Sequence, residues 1–256
     1  TVLDLIFARS YGLSLGKFSK EELENEIKKY KDVVVHRFSY ITDEYSGQKA
    51  IMNKDILDVM EIKEGEYWLG LKKARFFSWF YPFANPHVEQ PKESPSRAYL
   101  QMVEAFIWSN YKPEEDEVAL ELGSAPGGAS YAMVQRGIRV TGVDNAEMSE
   151  TLLNHPLFTH IKEPMQKVRD EHIPRPCHLL ISDVNVMPSL NLSQVKRFMQ
   201  LRPGIKNVFY TLKIGSKITV PEILEHAKTF KRFGFREVGI TQLPSSKSEI
   251  LLFGKK

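Results

Sequence analysis

The sequence predicts a doubly wound α/β fold, its sheet mostly parallel with an antiparallel last strand, preceded by a smaller N-terminal α+β module. Three observations carry that prediction. From Val118 onward short apolar strands alternate with helical segments. A loop rich in glycine joins the first of these strands to the first helix, and the last two strands have no helix between them. Alternation implies crossover connections and a sheet covered on both faces, while two strands without a helix imply an antiparallel hairpin. The chain has 256 residues, 42% hydrophobic and 26% charged, which is the composition of a globular protein long enough to bury a full core.

Taken in order, residues 3–8 and 33–36 read as strands. Residues 20–30 have helical spacing, with acids early and lysines late to complement the helix dipole. Residues 66–71 form another strand candidate. The aromatic run 76–83 follows, suited either to core packing or to stacking on bases. Prolines 86, 91 and 95 then mark a linker, which puts the domain boundary near residue 90, between units 1–90 and 91–256. In the second unit, strands are expected at 118–122, 138–143, 157–161, 178–182, 207–213, 237–242 and 249–253. Helices are expected at 128–136, 193–201 and 221–233, with Ser193 as an N-cap and Pro221 in a first turn. The acidic run 114–117 reads as a solvated turn.

Several classes of protein are excluded. No apolar run approaches the ~18 residues of a membrane span. The N-terminus lacks a secretory pattern, so a cytoplasmic, reducing location is expected. The chain opens at Thr1, which implies processing or trimming. Cys177 is the single cysteine, which excludes an internal disulfide, and it reads as a small buried hydrophobe ahead of a strand. The seven histidines are scattered without ligand spacing, so no metal is expected. The net charge of +3 is uneven: between Lys196 and Arg236 ten basic residues face only Glu222 and Glu225. That segment suits a polyanion, or else a solvated helix face. Lys196, Arg197 and Lys217 flank strand ends where a nucleic acid would enter. A monomer is expected.

The most informative stretch is Glu121-Leu122-Gly123-Ser124-Ala125-Pro126-Gly127-Gly128-Ala129-Ser130. Glycines let backbone pass close beneath a ligand, and a helix N-terminus offers free N–H groups to an anion. Some twenty residues on, the next strand ends in Asp144-Asn145, where an acid accepts hydrogen bonds from ribose hydroxyls or serves as a turn residue. The spacing points to an adenosine-bearing cofactor. Gly-x-x-x-Gly-Gly tells against a dinucleotide, and so against a nicotinamide-dependent oxidoreductase. Glu121 sits inside an apolar strand, where an unpaired carboxylate is costly.

Leu-Gly-Ser-Ala-Pro-Gly-Gly resembles the methionine-loop motif of the FtsJ-like (RrmJ-type) ribosomal RNA 2′-O-methyltransferases. The similarity continues in order through residues 143–148, Leu180-Ile181-Ser182-Asp183, Leu212-Lys213 and Ser248-Glu249-Ile250. Residues 94–106 resemble the helix before the catalytic fold in the RlmM type, the 23S rRNA cytidine 2′-O-methyltransferases. In that type an RNA-binding THUMP domain comes first. The resemblance covers residues 93–256, and before residue 90 only 67–71 compare with the end of a THUMP-like module. It implies a Rossmann-like methyltransferase domain, S-adenosylmethionine as cofactor, and RNA, in particular rRNA, as partner. It places Glu121, Gly123, Ser124, Ala125, Pro126, Gly127, Gly128, Asp144, Asn145, Glu163 and Asp183 at the cofactor. Glu163 would contact the adenine amino group, or else be a surface acid.

The family's reaction centre is a Lys-Asp-Lys-Glu tetrad. By motif position Asp183, Lys213 and Glu249 fill three places, and Lys213 becomes base or orienter of the ribose hydroxyl, a role favoured by a lowered pKa. Gln101 stands where the first lysine belongs. Either the remaining three suffice, or the protein binds RNA and cofactor without efficient turnover. Lys92 or Arg97 are possible substitutes for the missing charge. Ala129 replaces a common Trp, a loss of packing rather than of chemistry.

Overall fold

The computed structural model describes residues 13–74, 80–82, 85–214 and 219–256. The strand expected over 3–8, most of the aromatic run and Lys217 lie outside them. The chain divides into two compact units, residues 1–87 and 88–256.

The first unit runs β1 (Leu13–Ser19), α1 (Lys20–Ile27), β2 (Val34–Ser39), β3 (Glu44–Ser46), β4 (Asp55–Lys63) and β5 (Glu66–Lys73), with sheet order β1-β5-β4-β2-β3. Ser19 and Glu22 form a reciprocal cap that starts α1. One sheet face packs Leu57, Val59 and Leu69 against Leu23 of α1. Residues of the other parity, Phe38, Met60 and Trp68, form a second cluster. Beside it lie buried charges: Asp58 is 2.6 Å from Lys72 Nζ and 3.3 Å from His36 Nδ1.

The second unit contributes α2 (Ala98–Ser109), β6 (Val118–Leu122), α3 (Gly128–Val134), β7 (Arg139–Val143), α4 (Glu150–Leu153), β8 (Phe158–Ile161) and β9 (Leu179–Ser182). It continues with α5 (Pro188–Leu201), β10 (Asn207–Lys213), α6 (Val220–Arg232), β11 (Glu237–Thr241) and β12 (Glu249–Lys255). Its seven-stranded sheet has the order β11-β12-β10-β9-β6-β7-β8. Strands β8 to β10 in this order are parallel, and β12 is antiparallel to both β10 and β11. The doubly wound sheet and its closing hairpin are as the sequence predicts. The chain steps outward from β6 to β8 and returns to β9, so the winding reverses between β6 and β9. Ligands of such sheets bind beyond the carboxyl ends at that reversal.

One core cluster joins α2 and α3 to the sheet through Met102, Ala105, Ala132 and Phe209. The other joins α5 and α6 through Val195, Phe198, Phe230 and Tyr210. Cys177 is buried ahead of β9 and burial pushes its thiol up to about 12. Among the described residues no helix is long and apolar enough to cross a membrane, and no cluster of three metal-ligating side chains occurs.

Three local expectations are corrected. Helix α5 begins at Pro188, not Ser193: a proline in the first turn supplies a fixed φ and needs no N–H partner. Ser193 Oγ instead donates back to the Leu190 carbonyl. Glu117 is not solvated but buried, its carboxylate accepting from the Glu114 N–H. The basic segment is also partly internal. Arg202 is 4% exposed and donates to the carbonyls of Asp170, Ile173 and Pro174, while Arg197 turns inward to those of Met165 and Val168. Lys228 and Arg232 pair with Glu225. Arg197 is therefore a loop anchor, not part of an entrance for nucleic acid.

Candidate active site

The loop after β6 must pass the end of β9. Gly123, with φ at +81°, does so where a Cβ would lie 2.2 Å from the Asp183 carbonyl oxygen. Its N–H donates to Val143 at the end of β7. The next two glycines serve packing. A Cβ on Gly127 would strike Leu152, and one on Gly128 would strike the Ser96 hydroxyl and backbone where α2 crosses α3. At the end of β7 the Asp144 carboxylate accepts from the Ala125 N–H at 3.1 Å and the Ala146 N–H at 2.9 Å. It is thus clamped, with lone pairs left for a ligand.

A cavity of about 480 Å³ opens at this sheet edge. It brings together Gly123, Ala125, Asp144, Asn145, Glu163 and Asp183 of the residues expected at a cofactor. Ser124, Pro126, Gly127 and Gly128 do not line it. Neither does Glu121: wholly buried, it accepts a hydrogen bond from Ser130 Oγ and so ties β6 to α3. Burial pushes its carboxyl up to about 8, the Ser130 bond opposes this, and the charges of Asp183 and Asp144 add to it. Residues not foreseen also line the cavity: Val184, Asn185 and Val186 after β9, and Pro164, Met165 and Gln166 after β8. Their position immediately beyond parallel strand ends was the available signal.

The reaction centre lies at the neighbouring strand ends. Lys213 and Glu249 are direct partners across the antiparallel β10–β12 pair. Lys213 Nζ donates to Glu249 Oε1 at 2.5 Å and lies 2.6 Å from Asp183 Oδ1. Gln101, on α2, donates from Nε2 to Glu249 Oε2 at 2.7 Å and to Ser246 Oγ at 3.3 Å. All four side chains therefore form one connected row, Asp183–Lys213–Glu249–Gln101. Among the described residues, neither Lys92 nor Arg97 is bonded to it. A small cavity of about 30 Å³ beneath the row is lined by Gln101, Ala129, Thr211 and Asp183, which also faces the larger cavity.

The electrostatics differ from what a lysine base requires. Burial lowers the Lys213 pKa, but the Asp183 and Glu249 carboxylates outweigh it and the net direction is upward. Burial raises Asp183, opposed by Lys213 and reinforced by Glu249. With two carboxylates and one ammonium the row carries a net negative charge, because the Gln101 amide brings none. The two carboxylates thus hold Lys213 as an ammonium, the direction opposite to the lowering that favours a lysine base.

Residues 95–249 match the family model described as FtsJ-like methyltransferase. Ribosomal RNA large subunit methyltransferase M of Pseudomonas syringae pv. tomato is 30% identical over 207 residues, 75% of this chain and 56% of that protein. The protein of the same name from an Azoarcus species is 28% identical over 211 residues, 77% of this chain and 56% of its own length. The chain thus spans little more than half the length of these relatives. A Lactococcus lactis structure named as a hemolysin superposes with a TM-score of 0.51 at 18% identity, covering 64% of this chain and 88% of its own, which speaks to fold alone. With the family model matched over most of the second unit, the chain belongs to the FtsJ-like methyltransferase family, whose methyl donor is S-adenosylmethionine.

Proposed function

We propose that this chain is an RNA 2′-O-methyltransferase acting on ribosomal RNA in the cytoplasm, with residues 91–256 as catalytic domain and 1–90 as a THUMP-like RNA-binding module. The observation that carries the reading is the row Asp183–Lys213–Glu249–Gln101 at the edge of the larger cavity. The names of the relatives support rRNA as the substrate class.

The cavity suits the donor. Its volume of about 480 Å³ lies in the usual range for a small-molecule site, and a clamped Asp144 carboxylate faces it where ribose hydroxyls need an acceptor. Glu163 and Asn145 would serve the adenine end, and Gly123 and Ala125 the backbone cradle. When bound, S-adenosylmethionine supplies an electrophilic sulfonium methyl group. Lys213, held by two carboxylates, would donate to the ribose 2′-oxygen and orient it for transfer. As the oxygen attacks, its proton becomes strongly acidic. Asp183 accepts it, since burial gives that carboxyl more than ordinary affinity for a proton. Glu249 keeps Lys213 charged and oriented, and Gln101 keeps Glu249 in place.

The test uses labelled S-adenosylmethionine and unmodified bulk rRNA, followed by alkaline hydrolysis. A 2′-O-methyl group blocks strand cleavage, so label in an alkali-resistant dinucleotide is the expected result. Label in mononucleotides would overturn the 2′-O assignment. Lys213→Ala should reduce transfer by at least ~10²-fold. A second reading, a binding or assembly protein with little turnover, draws on the uncharged Gln101. Gln101→Lys separates the two. Restoring a cation beside Glu249 offsets the net negative charge of the row and should raise turnover by about tenfold, a barrier lowered by ~1.4 kcal/mol. Measurable cofactor binding without transfer in either protein would favour the second reading.

A further inference from the structure

We propose that Glu104 is a positioning residue for the methyl-transfer centre, holding the loop before β12 so that Glu249 meets Lys213. The proposal rests on the methyltransferase reading of the same site.

Glu104 lies one helical turn beyond Gln101 on α2, so the two side chains leave the same face of the helix. It is 5% exposed, and no cation is bonded to it among the described residues. Its Oε2 accepts from the Ser245 N–H at 3.0 Å and from Ser245 Oγ at 2.8 Å. Burial raises its pKa and these two bonds pull it down. A carboxyl group enclosed in this way is costly unless its bonds are needed, and both go to a single residue 141 positions away.

That residue belongs to the segment joining β11 to β12. The segment is tied at both ends. Ser246 N–H donates to the Leu243 carbonyl, Gln101 reaches Ser246 Oγ, and the Ile214 N–H, next to Lys213, donates to the Ser248 carbonyl at 2.8 Å. Glu249 follows immediately. Its carboxylate is therefore fixed from the β10 side through Ser248 and from the α2 side through Ser245 and Ser246. Gln101 is itself a ligand of Glu249 and cannot hold the loop independently of it. Among the described residues Glu104 makes no hydrogen bond or ion pair to the row and reaches it through the loop, which separates a positioning role from a catalytic one.

The experiment compares the full chain with Glu104→Ala and Glu104→Gln. One readout is turnover on rRNA. A second, independent of activity, is acylation of Lys213 by an amine-reactive reagent, quantified by mass spectrometry with Lys162 as internal reference. Only the uncharged amine reacts, so a Lys213 no longer gripped by Glu249 labels faster. For Glu104→Ala the expectation is a several-fold rise in Lys213 labelling and a loss in kcat of about 30-fold, within the ~10²-fold attributed to a 1 Å misplacement. Affinity for S-adenosylhomocysteine should be unchanged. Glu104→Gln keeps an acceptor oxygen for Ser245 and should recover most of both. Wild-type labelling and kcat in folded Glu104→Ala would overturn the proposal, as would a loss that tracks the unfolded fraction and is not recovered by Glu104→Gln. If wild-type protein transfers no methyl group to RNA, the function falls and the labelling still decides the role of Glu104. Should Glu104→Ala fail to fold, Ser245→Ala removes only the hydroxyl donor and must raise Lys213 labelling for the proposal to stand.

Discussion

The Glu121 side chain is wholly enclosed and held by a single hydrogen bond from Ser130, yet it titrates near 8 where an ordinary glutamate titrates near 4.5. Below pH 4.5 it is protonated in both folded and unfolded chains. Between 4.5 and 8 the folded chain binds the extra proton more tightly, so stability falls as pH rises through this window and levels off above it. Glu121→Gln keeps an acceptor for Ser130 and removes the ionisation. It should add about 2–4 kcal/mol at pH 9 and nothing near pH 4.5, measured by urea unfolding at the two values. An equal effect at both would mean that Glu121 stays ionised in place. At this scale the sequence is unevenly legible. Lys213, Glu249 and Asp183 fall on motif positions, and Gln101 is conspicuous because it breaks one. Glu121 is placed at the cofactor by its motif position, and nothing in the sequence announces its hydrogen bond from Ser130 nine residues on. Glu104 is silent, since an acid on an apolar helix gives no hint of a partner 141 residues away.

Helices α2 and α3 meet where Gly128 leaves no room for a side chain, 2.6 Å from the Ser96 carbonyl oxygen and 2.9 Å from the Tyr99 backbone nitrogen for an added Cβ. Backbone cannot swing aside as a flexible side chain can, so Gly128→Ala must push α2 outward. A cost of about 1–3 kcal/mol is expected, as for other overpacked contacts. Because Gln101 and Glu104 ride on α2 just beyond Tyr99, turnover should fall further than the unfolded fraction explains, while affinity for S-adenosylhomocysteine changes little. Melting temperature, kcat and calorimetric affinity together check this, and a variant melting and turning over like wild type would show slack at the crossing. The glycine is legible in the sequence as part of a cofactor loop, but the close approach of Ser96 and Tyr99 to it is not. Element boundaries fail for similar reasons. Helix α5 begins five residues before Ser193 because Pro188 initiates it without a side-chain cap.

Across the whole chain, legibility tracks burial pattern. The parallel strands of the second unit are short segments set between turn signals and helical spacings, and each is readable. Strand β4 is not, because five successive residues from Ile56 to Met60 are buried and one of them is Asp58. A strand buried on both faces loses its alternation, and a charge in its centre argues against burial. Among the described residues each hydrophobic cluster draws on one unit alone. This makes the division of labour testable through Asp58, whose carboxylate lies 2.6 Å from the buried Lys72 ammonium and 3.3 Å from His36. Asp58→Ala removes the anion from a site that solvent cannot reach, and breaking such a pair typically costs about 3–5 kcal/mol. If residues 1–87 and 88–256 are separate cooperative units, calorimetry should show one transition shifted to lower temperature and the other unmoved. Binding of S-adenosylhomocysteine should follow the unmoved transition. Affinity for rRNA should fall with the first if that unit is the RNA-binding module we propose. A single transition that shifts as a whole, or loss of cofactor binding together with unit one, would mean that the two units fold as one body.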